Sequence, residues 1–85
     1  MYGDDVDYGA IDPLGDKPAW IQLYDLLRAA IAAGEYPPGT PLPSTRSVQE
    51  ATGLSRITIG KAYTRLRDEG LIRMPPGRGP FAAPE

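Results

Sequence analysis

Four consecutive residues, Ser55, Arg56, Ile57 and Thr58, set a charged fork, two hydroxyls and a branched apolar group side by side. Arg56 can pair with a guanine edge or a phosphate, and Ser55 and Thr58 can bond phosphates or bases. Ile57 can meet a thymine methyl. An exposed helical turn with no other task is expected to carry Glu and Lys at these positions instead. Other chemistries have little material here. The chain contains neither histidine nor cysteine, so the commonest general base, the commonest metal ligands and any disulfide framework are missing. No enzyme activity, metal or cofactor is expected.

The surrounding 85 residues make one small domain, near the size at which a single core becomes marginal. The net charge of −2 conceals a segregation. Residues 1–16 hold Asp4, Asp5, Asp7, Asp12 and Asp16 and no base, whereas residues 40–80 hold seven bases against Glu50, Asp68 and Glu69. An acidic tail on a basic body points to a polyanionic partner. No apolar run is long enough to span a bilayer, and Met1 opens no signal peptide. The chain therefore reads as soluble, cytoplasmic and without a membrane partner. Asp5, Asp7 and Gly9 miss the spacing of a calcium loop.

Which elements would position the four residues? Residues 1–17 mix Gly, Asp and Pro without a sustained period and are expected to form a mostly disordered acidic arm. Residues 18–34 then read as a helix, with Pro18 in its first turn and Gly34 closing it. Trp20, Tyr24, Leu27 and Ile31 recur at steps of four, three and four, widened by Leu23 and Ala30, so Trp20 and Tyr24 are expected in the core. Pro37, Pro38, Pro41 and Pro43 force an extended connector, with a very short strand around Leu42. Ser44 caps a second helix over 45–52, with Val48 and Ala51 facing inward, and Gly53 supplies the turn that follows.

Ser55 caps a third helix ended by Gly70. Its buried face is Ile59, Ala62, Tyr63 and Leu66, opposite Ile57, Lys61, Thr64 and Asp68. "LIRM" and "PFAA" read as the strands of a hairpin turned by "PPGRG". Two short helices joined by a tight glycine turn are a helix-turn-helix, whose second helix fits a DNA major groove, and the hairpin after it can serve as a wing. The expected fold is mainly α with a small β-hairpin: a winged helix-turn-helix of three helices plus wing, over residues 18–83.

The blocks "PPGTPLPSTR", "GLSRITI", "AYTRLRDEGLI" and "GRGPF", in this order and spacing, resemble the winged helix-turn-helix domain of the GntR family of bacterial transcription regulators. The likeness runs from about Pro18 to Phe81. A single reading head buries little surface, so pairing of two copies as a homodimer on an inverted-repeat operator is expected on that ground. The likeness implies a sequence-specific regulator of double-stranded DNA, most often a repressor. Its DNA-facing positions would be Ser44, Thr45 and Arg46 at the second helix, and Ser55, Arg56, Ile57 and Thr58 at the third. Gly77, Arg78 and Gly79 would form the wing tip, and Lys61 is a further candidate phosphate contact.

This chain departs from the family pattern at three places. Gln49 stands for a small residue and Thr52 for a bulky apolar one, which implies looser packing between the second and third helices. Gly60 stands for a basic residue, which implies altered affinity or specificity. Members usually continue into a C-terminal ligand-sensing domain. A chain ending at Glu85 is expected to be a fragment, or a stand-alone binder with no small-molecule effector. The rival expectation is a winged helix that binds another protein through its acidic arm.

Overall fold

The first helix, α1 (Ala19–Ala32), begins one residue later than expected, with Pro18 as its N-cap. The computed structural model describes residues 8–12, 14–77 and 79–84. Beyond Ala33 the chain leaves α1 through two bonds, from the Gly34 amide to the Ile31 carbonyl (3.1 Å) and from the Glu35 amide to the Ala30 carbonyl (3.0 Å). These satisfy carbonyls that a bare helix end would leave open. The buried stripe of α1 is Leu23, Tyr24, Leu27 and Ala30. Trp20, expected in the core, is half-buried and borders a hollow beside the third helix. The stripe centres on Leu23 and Leu27, and Trp20 lies a turn before it, at the margin.

Helix α2 (Thr45–Thr52) and helix α3 (Arg56–Asp68) are capped alike. The Ser44 hydroxyl accepts the Ser47 amide, and the Ser55 hydroxyl accepts the Thr58 amide, each at 3.1 Å. Between them Gly53 has φ +77°, a left-handed conformation that a side chain would strain. Of the two residues expected to face inward on α2, Val48 is fully buried, but Ala51 is exposed. An eight-residue helix lying across α3 buries a narrow strip, and Val48 fills it. The Thr52 hydroxyl donates to the Val48 carbonyl (2.6 Å) and accepts the Leu54 amide (3.1 Å), bracing the end of α2 and the turn after it with polar bonds.

The α3 face follows its sequence period: Ile59, Ala62, Tyr63 and Leu66 are all fully buried, against Leu23 and Leu27 of α1 and Val48 of α2. The Tyr63 hydroxyl donates to the Pro43 carbonyl, tying the middle of α3 to the entrance of α2. Burial pushes its phenol well above the ordinary value, and the nearby Tyr8 and Tyr36 phenols add to the effect. The hairpin pairs β1 (Ile72–Arg73) with β2 (Phe81–Ala82), antiparallel, with Ile72 opposite Ala82. The proline-rich connector joins its edge through a bridge between Pro41 and Phe81 and a bond from the Leu42 amide to the Pro80 carbonyl (3.0 Å).

Residues 8–12 of the acidic segment lie folded against the body. Residues Tyr8–Ala10 form a single 3-10 turn, and Tyr8 and Ile11 pack against the core. The Gln22 side chain on α1 fixes the segment. Its amide nitrogen donates to the carbonyls of Asp12 and Lys17, both at 2.7 Å, and its oxygen accepts the Asp12 amide at 2.6 Å. Asp4, Asp5 and Asp7 lie outside the described residues. Among the described residues, no helix is long and apolar enough to cross a membrane, and no cluster of acidic side chains is placed to hold a metal ion.

Candidate nucleic-acid interface

The two serine caps set the chemistry at the ends of α2 and α3. Each capping hydroxyl accepts an amide and donates its own hydrogen to the hydroxyl three residues on: Ser44 to Ser47 (3.1 Å) and Ser55 to Thr58 (2.9 Å). Ser44 and Ser55 are thereby engaged within their helices. The hydrogens of Ser47 and Thr58 remain to be donated outward, where the helix dipoles also favour an anion. Ser47 was missed in the sequence, although it stands three residues after its capping serine as Thr58 does after Ser55.

Thr45, Ser55, Arg56 and Ile57 border one shallow hollow between α2 and α3, together with Gln49. Gln49 was read only as a packing departure, yet it stands one helical turn after Thr45 and so shares its face. Ile57 is 76% exposed, an unusual state for a large apolar side chain among the described residues. Arg46 is exposed one position after Thr45. Lys61 is exposed further along α3, beside a different hollow that it borders with Trp20, Gly60 and Thr64. At the wing tip Gly77 and Gly79 have φ +78° and +73°, a pair of left-handed residues that lets the hairpin turn sharply. Arg78 lies outside the described residues.

Charge pairing divides the molecule. Lys17 pairs with Asp25 (3.3 Å), Arg67 with Asp68 (3.3 Å), and Arg65 and Arg28 both approach Glu69, at 3.3 and 4.0 Å. Arg46, Arg56, Lys61 and Arg73 make no ion pair with any described residue. Glu69 also accepts the Tyr24 hydroxyl at 2.5 Å, and Arg65 lies over the Tyr24 ring, 5.0 Å from its centre. The Tyr24 bond holds the Glu69 carboxyl below its ordinary range. Partial burial opposes this, and the bond and charge of Arg65, then the charge of Arg28, reinforce it. The same bond, helped by burial, raises the Tyr24 phenol.

A three-helix domain with a winged hairpin and an unpaired basic end on its helix-turn-helix is a DNA-binding module of the transcription-regulator class. Residues 21–81 match the model of the family described as "Bacterial regulatory proteins, gntR family", and the chain belongs to the GntR family. It is 39% identical over 66 residues to the HTH-type transcriptional repressor NagR of Bacillus subtilis, a span covering 78% of this chain and 27% of NagR. It is 33% identical over 72 residues to the Mannosyl-D-glycerate transport/metabolism system repressor MngR of Escherichia coli, covering 85% of this chain and 30% of MngR. The chain thus spans less than a third of the length of either relative.

Among solved structures, YtrA from Sulfolobus acidocaldarius, a GntR-family transcription factor, superposes with a TM-score of 0.81 at 34% identity, covering 93% of this chain and 83% of that one. The AraR DNA-binding domain in complex with operator ORR3 superposes with a TM-score of 0.75 at 31% identity, covering 85% and 90%. The chain is accordingly a DNA-binding transcription-regulator domain.

Proposed function

We propose that this domain reads a specific operator in double-stranded DNA and represses by occupying a promoter, two copies binding an inverted repeat. One observation carries the reading: Arg46, Arg56 and Lys61, on the helix-turn-helix, are exposed and unpaired, while Lys17, Arg28, Arg65 and Arg67 are held by carboxylates. The names of NagR and MngR as repressors, and the AraR domain bound to its operator, support it.

The first turn of α3 enters the major groove, Arg56 forks onto a guanine or a phosphate, and Ile57 lies against a thymine methyl. Arg46 approaches from the start of α2. Thr58, Ser47 and Lys61 take phosphates, and the wing of Gly77, Arg78 and Gly79 lies along the backbone or minor groove. One reading head buries little surface, so two heads on a dyad raise affinity without new contacts in either.

Selection of bound duplexes from a random pool, followed by light scattering on the best site, tests this directly. Enrichment of an inverted repeat bound by two chains is the expected result. A pool with no enriched sequence would refute operator reading, and a complex of one chain per duplex would refute the pairing.

A further inference from the structure

The chain contains two glutamines, and their environments are opposite. Every polar atom of the Gln22 side chain is engaged in pinning residues 12 and 17 to α1. The Gln49 side chain is half-buried, yet no described residue bonds its amide, while its backbone carbonyl accepts the Gly53 amide at 2.8 Å. An amide with open donor and acceptor positions beside a surface hollow can take a partner that offers both an acceptor and a donor.

The direction of the side chain identifies that partner. A helical Cβ tilts toward its helix N-terminus, so Gln49 leans back over Thr45 toward the end from which α2 and α3 face outward. There it borders the hollow also lined by Ser55, Arg56 and Ile57. A phosphate would accept from the amide nitrogen but meet the amide oxygen as a second acceptor. An adenine edge satisfies both, since its N7 accepts and its N6 amino group donates in the spacing of a carboxamide.

We propose that Gln49 is a specificity-determining residue, its amide pairing with an adenine in the major groove beside the bases met by Arg56 and Ile57. The proposal rests on the α2–α3 end being the reading head. The substitution of this long amide for a small residue then adds a base contact to the head.

The test uses duplexes selected by the wild-type chain and every single base-pair change in them, measured with wild type, Gln49→Met, Gln49→Ala and Arg56→Ala across salt concentrations. Gln49→Met keeps length and packing without the amide, and Gln49→Ala covers the case in which Met strains the site; thermal melting confirms that each is folded. The expected result is an A·T pair at which wild type discriminates by roughly 5- to 150-fold, with that preference lost in both Gln49 variants. The preferences abolished by Arg56→Ala should persist in them, and so should the salt dependence. An unchanged preference profile overturns the proposal. So does loss at the base pair that Arg56→Ala affects, which would make Gln49 a support for Arg56. A uniform loss at all sites with a shallower salt dependence overturns it in favour of a phosphate contact. If wild type itself selects no sequence, operator reading fails as well, a result distinct from all of these.

Discussion

The two ends of α3 follow opposite rules. At the C-terminal end, Glu69 gathers the Tyr24 hydroxyl, Arg65 and Arg28, so each charged group there has a partner on its own helix or on α1. At the N-terminal end, the capping serine is satisfied, but Arg56 is unpaired and Ile57 stands in solvent. One end holds the fold together, and the other keeps its chemistry open for a partner. Leaving a charge unpaired on the surface costs little stability, because exposed ion pairs contribute at most about 1 kcal/mol. The domain can therefore keep Arg56 free without weakening its core.

Two isoleucines on the same helix should show this division most strongly. Ile59 is fully buried and Ile57 is 76% exposed. Ile59→Ala should cost about 2–5 kcal/mol of stability, a large share of what a domain this small possesses, and thermal or urea unfolding would register it. Ile57→Ala should leave stability within about 0.5 kcal/mol while weakening binding to the selected operator. Equal melting temperatures for the two variants would break the comparison.

Much of this contrast was legible in the sequence, because it rests on local signals. The caps Ser44 and Ser55, the turn at Gly53 and the buried face of α3 all follow from spacing within a few residues. What was not legible depends on partners distant in the chain. The segment before α1 has the composition of a disordered arm, yet Asp12 and Lys17 within it are held through three bonds to one side chain, Gln22, which no periodicity announces. Ala51 and Trp20 were misplaced because a period gives the direction of a face but not the width of surface its neighbours cover. Pairing of Arg65 with Glu69 is a local helical spacing, but the convergence of Arg28 and Tyr24 on the same carboxylate requires the fold. In the interface, Arg46 and Arg56 stood out by type, whereas Gln49 became a candidate once its hollow was visible.

At the closed end, Glu69→Gln should expose a pH dependence. The native carboxyl titrates below its ordinary value, chiefly through the Tyr24 bond. Its contribution to stability is therefore complete above the unfolded-state value and disappears as pH falls through the lower native one. The variant should melt below wild type at neutral pH, with the difference closing in acid. A difference that stayed constant from neutral pH into acid would show that the carboxylate charge plays no part.

Gly60→Arg carries the smallest expected effect and sharpens the boundary between the ends. A Cβ built at Gly60 meets nothing within 4 Å, so α1 and α2 do not require the glycine. The substitution should stabilise α3 by several tenths of a kcal/mol, as removal of an interior helical glycine does. It should also tighten DNA binding and steepen its salt dependence by roughly one unit, the signature of one added phosphate contact. Weaker binding by the folded variant would instead place DNA in close approach to the Gly60 backbone.

The most direct measurement removes one arginine from each end of the same helix. Arg56→Ala and Arg65→Ala delete the same charge, so DNA affinity on the selected operator and thermal stability are measured for both. Arg56→Ala is predicted to weaken binding by roughly 1–3 kcal/mol with an unchanged melting temperature. Arg65→Ala is predicted to lower the melting temperature while leaving operator affinity at the wild-type level. Equal losses of affinity in the two variants would contradict the account, because the paired and unpaired ends of α3 would then act alike.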